Sequence, residues 1–305
     1  MDDLAKDWFR TKFDRMAREK IGTEYQDFFA DVMEQCYPNG EFGRVRPWGN
    51  EGDQKCDGYL VSTQTVFQVY APNELTEAET IHKIHTDFDG AVEHWPDELK
   101  QWIFVHNSFP GLSANVEHEI NGLRTHYPTI TISTWSPADL QAHVFRLSQS
   151  KIETLLGFPP TREGMSNLDF EMVQSILDHI AKMIPTPSSD LRPVPADKIQ
   201  INCLSSCAQT LLQAGMQQVK QVEMCLNLDQ DPLYGDKLAV AFTARYQALR
   251  LQGLLPDDVL TELQKFAGGP DILSTQRSCG ILAVIAYLFE RCDIFERTSH
   301  LSANQ

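Results

Sequence analysis

Apolar positions recur at helical spacing over residues 3–19, where Leu4, Trp8, Phe9, Phe13 and Met16 share one face. Gly22 ends that helix. Thr23 opens a second one running to about Cys36, with Phe28, Phe29, Val32 and Met33 as its core face. Gln26, three residues after Thr23, fits a capping box. Pro38–Asn39–Gly40 marks a turn, and the pattern then becomes strand-like. Residues 42–47 read as a first strand with outward arginines, and residues 48–53 as a Gly-containing loop. Residues 59–61 and 65–70 follow as two strands joined by a tight turn, the second β-branched and aromatic.

Strand alternation then decides which side chains share a face. In the obvious hairpin register Asp57 sits opposite Gln68. A carboxylate and an amide oxygen meeting on one sheet face can begin a site for a hard divalent cation, which takes oxygen ligands. The structural alternative is that Asp57–Gly58 is only a turn pair and Gln68 only a polar strand residue.

Beyond Pro72 a helix is predicted over about 77–95. Ile81, Ile84, Phe88 and Val92 line one side, and Lys83 and Asp87 stand four residues apart on another. Residues 102–107 form a short apolar strand, 113–126 a helix and 129–135 a strand, after which Ser136–Pro137 starts another helix. The order α-α-β-β-β-α-β-α-β-α implies an α/β domain. Its sheet would be mixed, with parallel crossovers in the second half and helices on both faces.

Residues 156–167 punctuate the end of that domain, and no convincing strand follows. Helical patterns cover about 168–184, 197–213, 215–226, 232–252, 257–266 and 274–295, so the second domain is all-α. Pro185, Pro187, Pro193 and Pro195 mark a linker. The predicted organisation is a first domain over 1–160, a helix and Pro-rich linker over 161–195, and a helical domain over 196–305.

Composition is that of a water-soluble chain. No apolar run approaches the ~18 residues of a membrane span, and the acidic, mixed start is unlike a signal peptide. Seven cysteines without framework spacing fit reduced thiols, so the expected location is cytoplasmic. The net charge is −16; residues 1–165 carry 15 Lys and Arg against 26 Asp and Glu. Such a surface grips a polyanion poorly unaided. The chain holds no G-x-x-x-x-G-K-[ST] phosphate loop and no G-x-S-x-G nucleophile turn. His82 with His85, and Cys203 with Cys207, have spacings that can hold zinc, but further ligands are lacking nearby in sequence.

Gly52–Asp53 and Asp57–Gly58, followed by Gln68-x-Tyr70 on a strand, resemble the core of the PD-(D/E)XK, or restriction-endonuclease-like, superfamily. Mrr-like antiphage effector nucleases are the nearest in pattern. The resemblance implies an Mg²⁺- or Mn²⁺-dependent endodeoxyribonuclease. Asp57 would be the strand acid, Gln68 the second metal ligand, and Glu24 or Gln26 the helix ligand. Tyr70 stands where the family has its lysine, and a phenol cannot supply a lysine's cation. Lys83 and Lys55 are the nearest replacements in sequence.

A second resemblance runs over roughly 195–296. It is carried by Asp197–Lys198–Ile199, Asp231–Pro232 with Gly235–Asp236, Phe242-x-x-x-Tyr246 and the run from Ala286 to Phe295. Together they are similar to the C-terminal domain of ABC-three-component systems, the class that includes Lamassu antiphage systems. That implies an SMC-like ABC ATPase and a small middle-component subunit as partners. The nuclease resemblance adds double-stranded DNA as substrate, and double-strand cuts, which need two active sites, would call for self-association of the nuclease domain on activation. The alternative is a nuclease fold that has lost its chemistry and serves as an adaptor or DNA-end sensor.

Overall fold

The computed structural model describes residues 1–45, 55–181, 202–229, 231, 233–268, 274–291 and 294–295. The chain divides into two compact units, one of residues 16–155 and the other of residues 1–15 with 156–305. The first helix, α1 (Asp3–Glu19), contributes to both.

The first of these units contains α2 (Thr23–Cys36), β1 (Phe42–Arg44), β2 (Gly58–Leu60) and β3 (Thr65–Tyr70). These are followed by α3 (Glu77–His94), β4 (Gln101–His106), α4 (Ala114–His126), β5 (Thr131–Trp135), α5 (Pro137–Val144) and most of α6 (Gln149–Leu156). The strands form one sheet in the order β1-β2-β3-β4-β5. β1, β2 and β3 are antiparallel neighbours, and β3, β4 and β5 run parallel. This is the mixed sheet that the alternation of helical and strand patterns predicts.

Each face of the sheet has its own core. Val66, Trp102, Phe104 and Ile132 pack with Ile84 and Phe88 of α3 and with Val116 and Ile120 of α4. On the opposite face Phe42, Phe67 and Trp135 gather around Phe29 of α2. Gly58 has no room for a side chain there, because a Cβ would stand 2.6 Å from the Phe42 ring. Ser136 caps α5 in a full capping box with Asp139.

Helix α2 starts differently from the sequence expectation. Its N-cap is Gly22, at φ 52°, with no side-chain cap. The Gly22 N–H instead donates to the Ala71 carbonyl at 2.6 Å, which pins the helix start to the end of β3. The expected Thr23–Gln26 box is absent because the Gln26 amide is used elsewhere. Residues 48–53, including Asp53, lie outside the described residues.

The second unit is helical: α7 (Arg162–Ser166), α8 (Phe170–Ala181), α9 (Ser206–Met216), α10 (Val219–Leu228), α11 (Tyr234–Leu251), α12 (Pro256–Gly268) and α13 (Thr275–Glu290). Residues Ser278 to Phe289 of α13 are buried all round, so it is the central helix. α9 crosses it closely at Gly215, where a Cβ would meet the Leu282 carbonyl and stand 2.8 Å from Ala286 Cβ. Of the helix expected over 197–213, residues 197–201 lie outside the described residues; α9 starts at Ser206, where the Ser205 hydroxyl accepts from the Ala208 N–H. The Pro-rich segment lies outside the described residues. No described helix is long and apolar enough to cross a membrane.

Residues 1–15 pack in this helical unit, burying Leu4, Trp8, Phe9 and Phe13. Arg15 is only 8% exposed and pairs with Glu262 at 3.2 Å and Asp258 at 3.8 Å. By sequence pattern alone these residues belong with the α/β domain. An amphipathic helix shows which face is buried but not what buries it.

Candidate functional site

The β2–β3 register pairs Gly58 with Phe67, so Asp57 falls opposite Gln68, as alternation predicts. The Asp57 N–H donates to the Phe67 carbonyl at 2.9 Å. At this point β2 stops, and the Asp57 side chain takes over from its backbone. Oδ2 accepts from the Val69 N–H at 2.7 Å and from Gln68 Nε2 at 2.7 Å. Oδ1 accepts from Gln26 Nε2 at 3.0 Å. One carboxylate thus ties the start of β2, the middle of β3 and the first turn of α2.

Gln26 and Glu24 are two residues apart, roughly 200° around a helix. The geometry therefore brings Gln26 to Asp57 and leaves Glu24 exposed in the same turn. Gln26 Nε2 also lies 3.5 Å from the Val69 carbonyl. Gln68 is 2% exposed, and its Oε1 is buried with no hydrogen-bond partner among the described residues. A buried amide oxygen left unpaired costs about 1–3 kcal/mol, so a ligand there would have something to satisfy.

Tyr70 shares its sheet face with Val66 and Gln68 and lays its ring against Phe104 at 6.0 Å. Burial, and then the negative charges of Glu79 and Asp87, push its pKa up, so the hydroxyl stays protonated. Its register partner on β4 is His106, which is 2% exposed. Burial lowers the His106 pKa from 6.5 to about 4, against a smaller opposing pull from Asp139. His106 Nδ1 accepts from the Ser108 N–H at 3.2 Å, which puts the ring proton on Nε2. In the sequence pattern His106 stands out only as a strand residue.

Lys55 and Lys83, the two lysines that sequence proximity singles out, meet at one carboxylate. Asp87 is fully buried, with Lys83 Nζ 2.7 Å from Oδ2 and Lys55 Nζ 3.2 Å from Oδ1. Lys55 adopts φ 57° and its stem crosses α3 over Gly90, where a Cβ would stand 2.5 Å from Lys55 Cγ. Helical spacing marks Asp87 only as the i,i+4 partner of Lys83. Lys55 reaches it across a gap that sequence spacing does not show.

The other candidate groups form no cluster. His85 pairs with Glu119 at 3.2 Å, Cys203 lies outside the helices, and Cys207 donates to Asp7 at 3.4 Å. Among the described residues no three His, Cys, Asp or Glu side chains come together to hold a metal. The Asp57 site is of another type, one carboxylate flanked by two amides. Turning the Gln26 and Gln68 amides about their last bonds would present two oxygens beside the carboxylate. With the unpaired Gln68 Oε1 already buried there, these residues fit a hard cation's preference for oxygen ligands.

Comparison with protein families bears on the C-terminal part of the chain. Residues 171–296 match C-terminal domain 10 of the ABC-three component systems. The match starts inside α8, so it takes in this helix, which the sequence pattern places before the linker. Such a domain implies other component subunits. No curated protein and no solved structure matches the chain.

Proposed function

We propose that residues 16–155 are a metal-dependent DNA endonuclease unit of restriction-endonuclease-like fold, within an effector subunit of a Lamassu-type antiphage complex. The observation that carries this reading is the convergence of Asp57, Gln68 and Gln26, with the Gln68 oxygen buried and unpaired. The order α2-β1-β2-β3-α3-β4, antiparallel then parallel, also agrees with what the resemblance implies. Asp57, Gln68 and Gln26 would hold Mg²⁺ or Mn²⁺, which supplies Lewis-acid polarisation of a phosphate and a lowered pKa for bound water. Asp57 brings the only charge of that set, Gln68 is held by burial, and Gln26 is aimed by the anchored start of α2. Tyr70 offers a protonated hydroxyl beside them, as a donor rather than a cation.

The ABC-three component domain supports partners in other subunits; we read these as an SMC-like ABC ATPase and a small middle component. Residues 16–155 carry 10 Lys and Arg against 21 Asp and Glu, so the assembly rather than this unit would bring in the DNA. Restraint follows from the same deficit, because an acidic nuclease unit released into the cytoplasm approaches DNA slowly. Self-association of two such units would provide paired cuts.

The test is plasmid cleavage with Mg²⁺ or Mn²⁺ by the chain together with its partner subunits, beside Asp57→Ala and the more conservative Asp57→Asn. The nuclease reading requires cutting that needs both metal and Asp57. A second reading, an adaptor or DNA-end sensor without chemistry, is favoured by the three N–H donors already on the Asp57 carboxylate. DNA binding without cutting by the wild-type assembly would establish that one instead.

A further inference from the structure

We infer that α8, α10 and the start of α11 form a docking face for another component subunit, and that the face takes a basic amphipathic helix. This deepens the partner reading of residues 171–296 and rests on it, independently of any nuclease activity.

Contacts with the start of α8 define one edge of α10. Gln221 Nε2 donates to the Leu168 carbonyl at 2.7 Å, and Cys225 Sγ lies 4.0 Å from the Phe170 carbonyl. Met224 and Leu228 follow Gln221 by three and seven residues, so all three stand along that edge. Yet Met224 is 56% and Leu228 73% exposed, and Phe170 on the facing start of α8 is exposed as well. At the far end of α10 a Cβ on Gly235 would stand 3.8 Å from Leu226 Cδ1, which brings the exposed Leu233 to the same face. Single exposed apolar residues are ordinary on a surface, but several gathered along one pair of helices mark an interaction site.

Charge identifies the occupant. Residues 169–181 and 219–237 hold seven Asp and Glu against two Lys and no Arg, and one of those lysines, Lys237, pairs with Asp231. The Tyr234 hydroxyl is buried with no hydrogen-bond partner among the described residues. Burial first, and then the charges of Asp178 and Asp229, raise its pKa, so both carboxylates lie within electrostatic reach of it. An incoming guanidinium or ammonium would meet these acids and offer the phenol oxygen a donor. The same acids disfavour a second copy of this face and repel nucleic acid. A ridge spaced i and i+4, as Met224 and Leu228 are, packs into the groove of another helix, and methionine adapts to its shape. The family match supplies the source, because such a domain implies other component subunits.

The test is the affinity of the full chain for its purified partner subunits. Met224→Lys and Leu228→Lys each replace an exposed apolar contact with a charge of the partner's own sign. Both variants should fold, and Kd should rise at least about tenfold. Leu251→Lys changes a leucine that is 90% exposed but lies roughly 25 Å along α11 from Tyr234, and it should bind like the wild type. Added salt should raise the wild-type Kd, and Asp178→Asn should flatten that rise. A photo-cross-linking p-benzoylphenylalanine at position 228 should capture a partner segment with Lys or Arg beside apolar residues at helical spacing.

Wild-type affinity in both the Met224 and Leu228 variants, or an equal loss in Leu251→Lys, overturns the face. A salt-independent Kd, no change in salt dependence in Asp178→Asn, or a cross-link to a second copy or to an acidic segment overturns the basic helix as occupant. Absence of any complex with the wild-type chain overturns the partner reading itself.

Discussion

The Gln26 side chain crosses from α2 to donate to the Asp57 carboxylate at 3.0 Å, a contact between residues 31 positions apart. Gln26→Leu removes that donor and leaves a methyl-ended side chain beside a charge. The sheet unit should lose about 1–3 kcal/mol of stability, read as a lower urea midpoint. Gln26→Glu should be worse in EDTA, because two carboxylates then face each other. Millimolar Mg²⁺ or Mn²⁺ should return much of its lost melting temperature, and an equal gain in the wild type and the variant would mean that no ion binds between these residues.

His106 gives the sheet unit a specific pH response. Its folded pKa of about 4 lies below the ordinary 6.5, so the unfolded chain takes up the proton first as pH falls. The contribution is therefore present above pH 6.5 and is lost as pH drops towards 4. Between pH 7 and pH 5 this amounts to about 2 kcal/mol. Urea titrations of wild type and His106→Gln should converge over that interval. Parallel curves would remove His106 as the source.

Much of this site is open to reading in the chain itself. Alternation along 57–70 places Asp57 opposite Gln68, because a hairpin's register follows from its turn and its pleat. Helix spacing alone pairs Lys83 with Asp87. Local pattern alone does not show the Gln26 contact, since a Gln three residues after a Thr at a helix start reads as a capping box; only the family resemblance puts Gln26 beside Asp57. The approach of Lys55 to Asp87 was hidden because it depends on a left-handed residue and a groove at Gly90, neither of which has a periodic signature. The family match begins earlier than the composition suggests, because prolines mark a linker while the match runs back across them into α8.

Two glycines of the helical unit should respond unequally to alanine. At Gly215 the new methyl would meet the Leu282 backbone carbonyl, which cannot turn away, and Ala286 Cβ at 2.8 Å. At Gly280 it would meet Ile176 Cδ1, the movable end of a side chain. Gly215→Ala should cost about 1–3 kcal/mol through overpacking. Gly280→Ala should be close to neutral, because alanine's helix propensity offsets a rotamer change. Thermal unfolding of the two variants side by side checks the ranking.

Arg44 on β1 faces three carboxylates of α2, Asp27 at 3.0 Å, Asp31 at 2.5 Å and Glu34 at 3.1 Å. All three acids are about half exposed, so the fork should contribute no more than about 1 kcal/mol. Arg44→Ala should lower stability in dilute buffer, and roughly molar salt should shrink the difference from wild type by screening the acids left behind. A difference that persists in salt would assign the loss to packing of the Arg44 stem.

The sharing of α1 between the two units affects the order in which the nascent chain can finish folding. Leu4, Trp8, Phe9 and Phe13 are made before the sheet unit, but Asp258 and Glu262, which pair with Arg15 at the end of the same segment, are made about 250 residues later. At 5–20 residues per second, that segment waits on the order of ten to fifty seconds for those partners. The sheet unit can meanwhile close on residues 16–155. A truncation meant to isolate it should therefore begin near Met16, because one beginning at Met1 carries a greasy helix with nothing to dock on and invites aggregation.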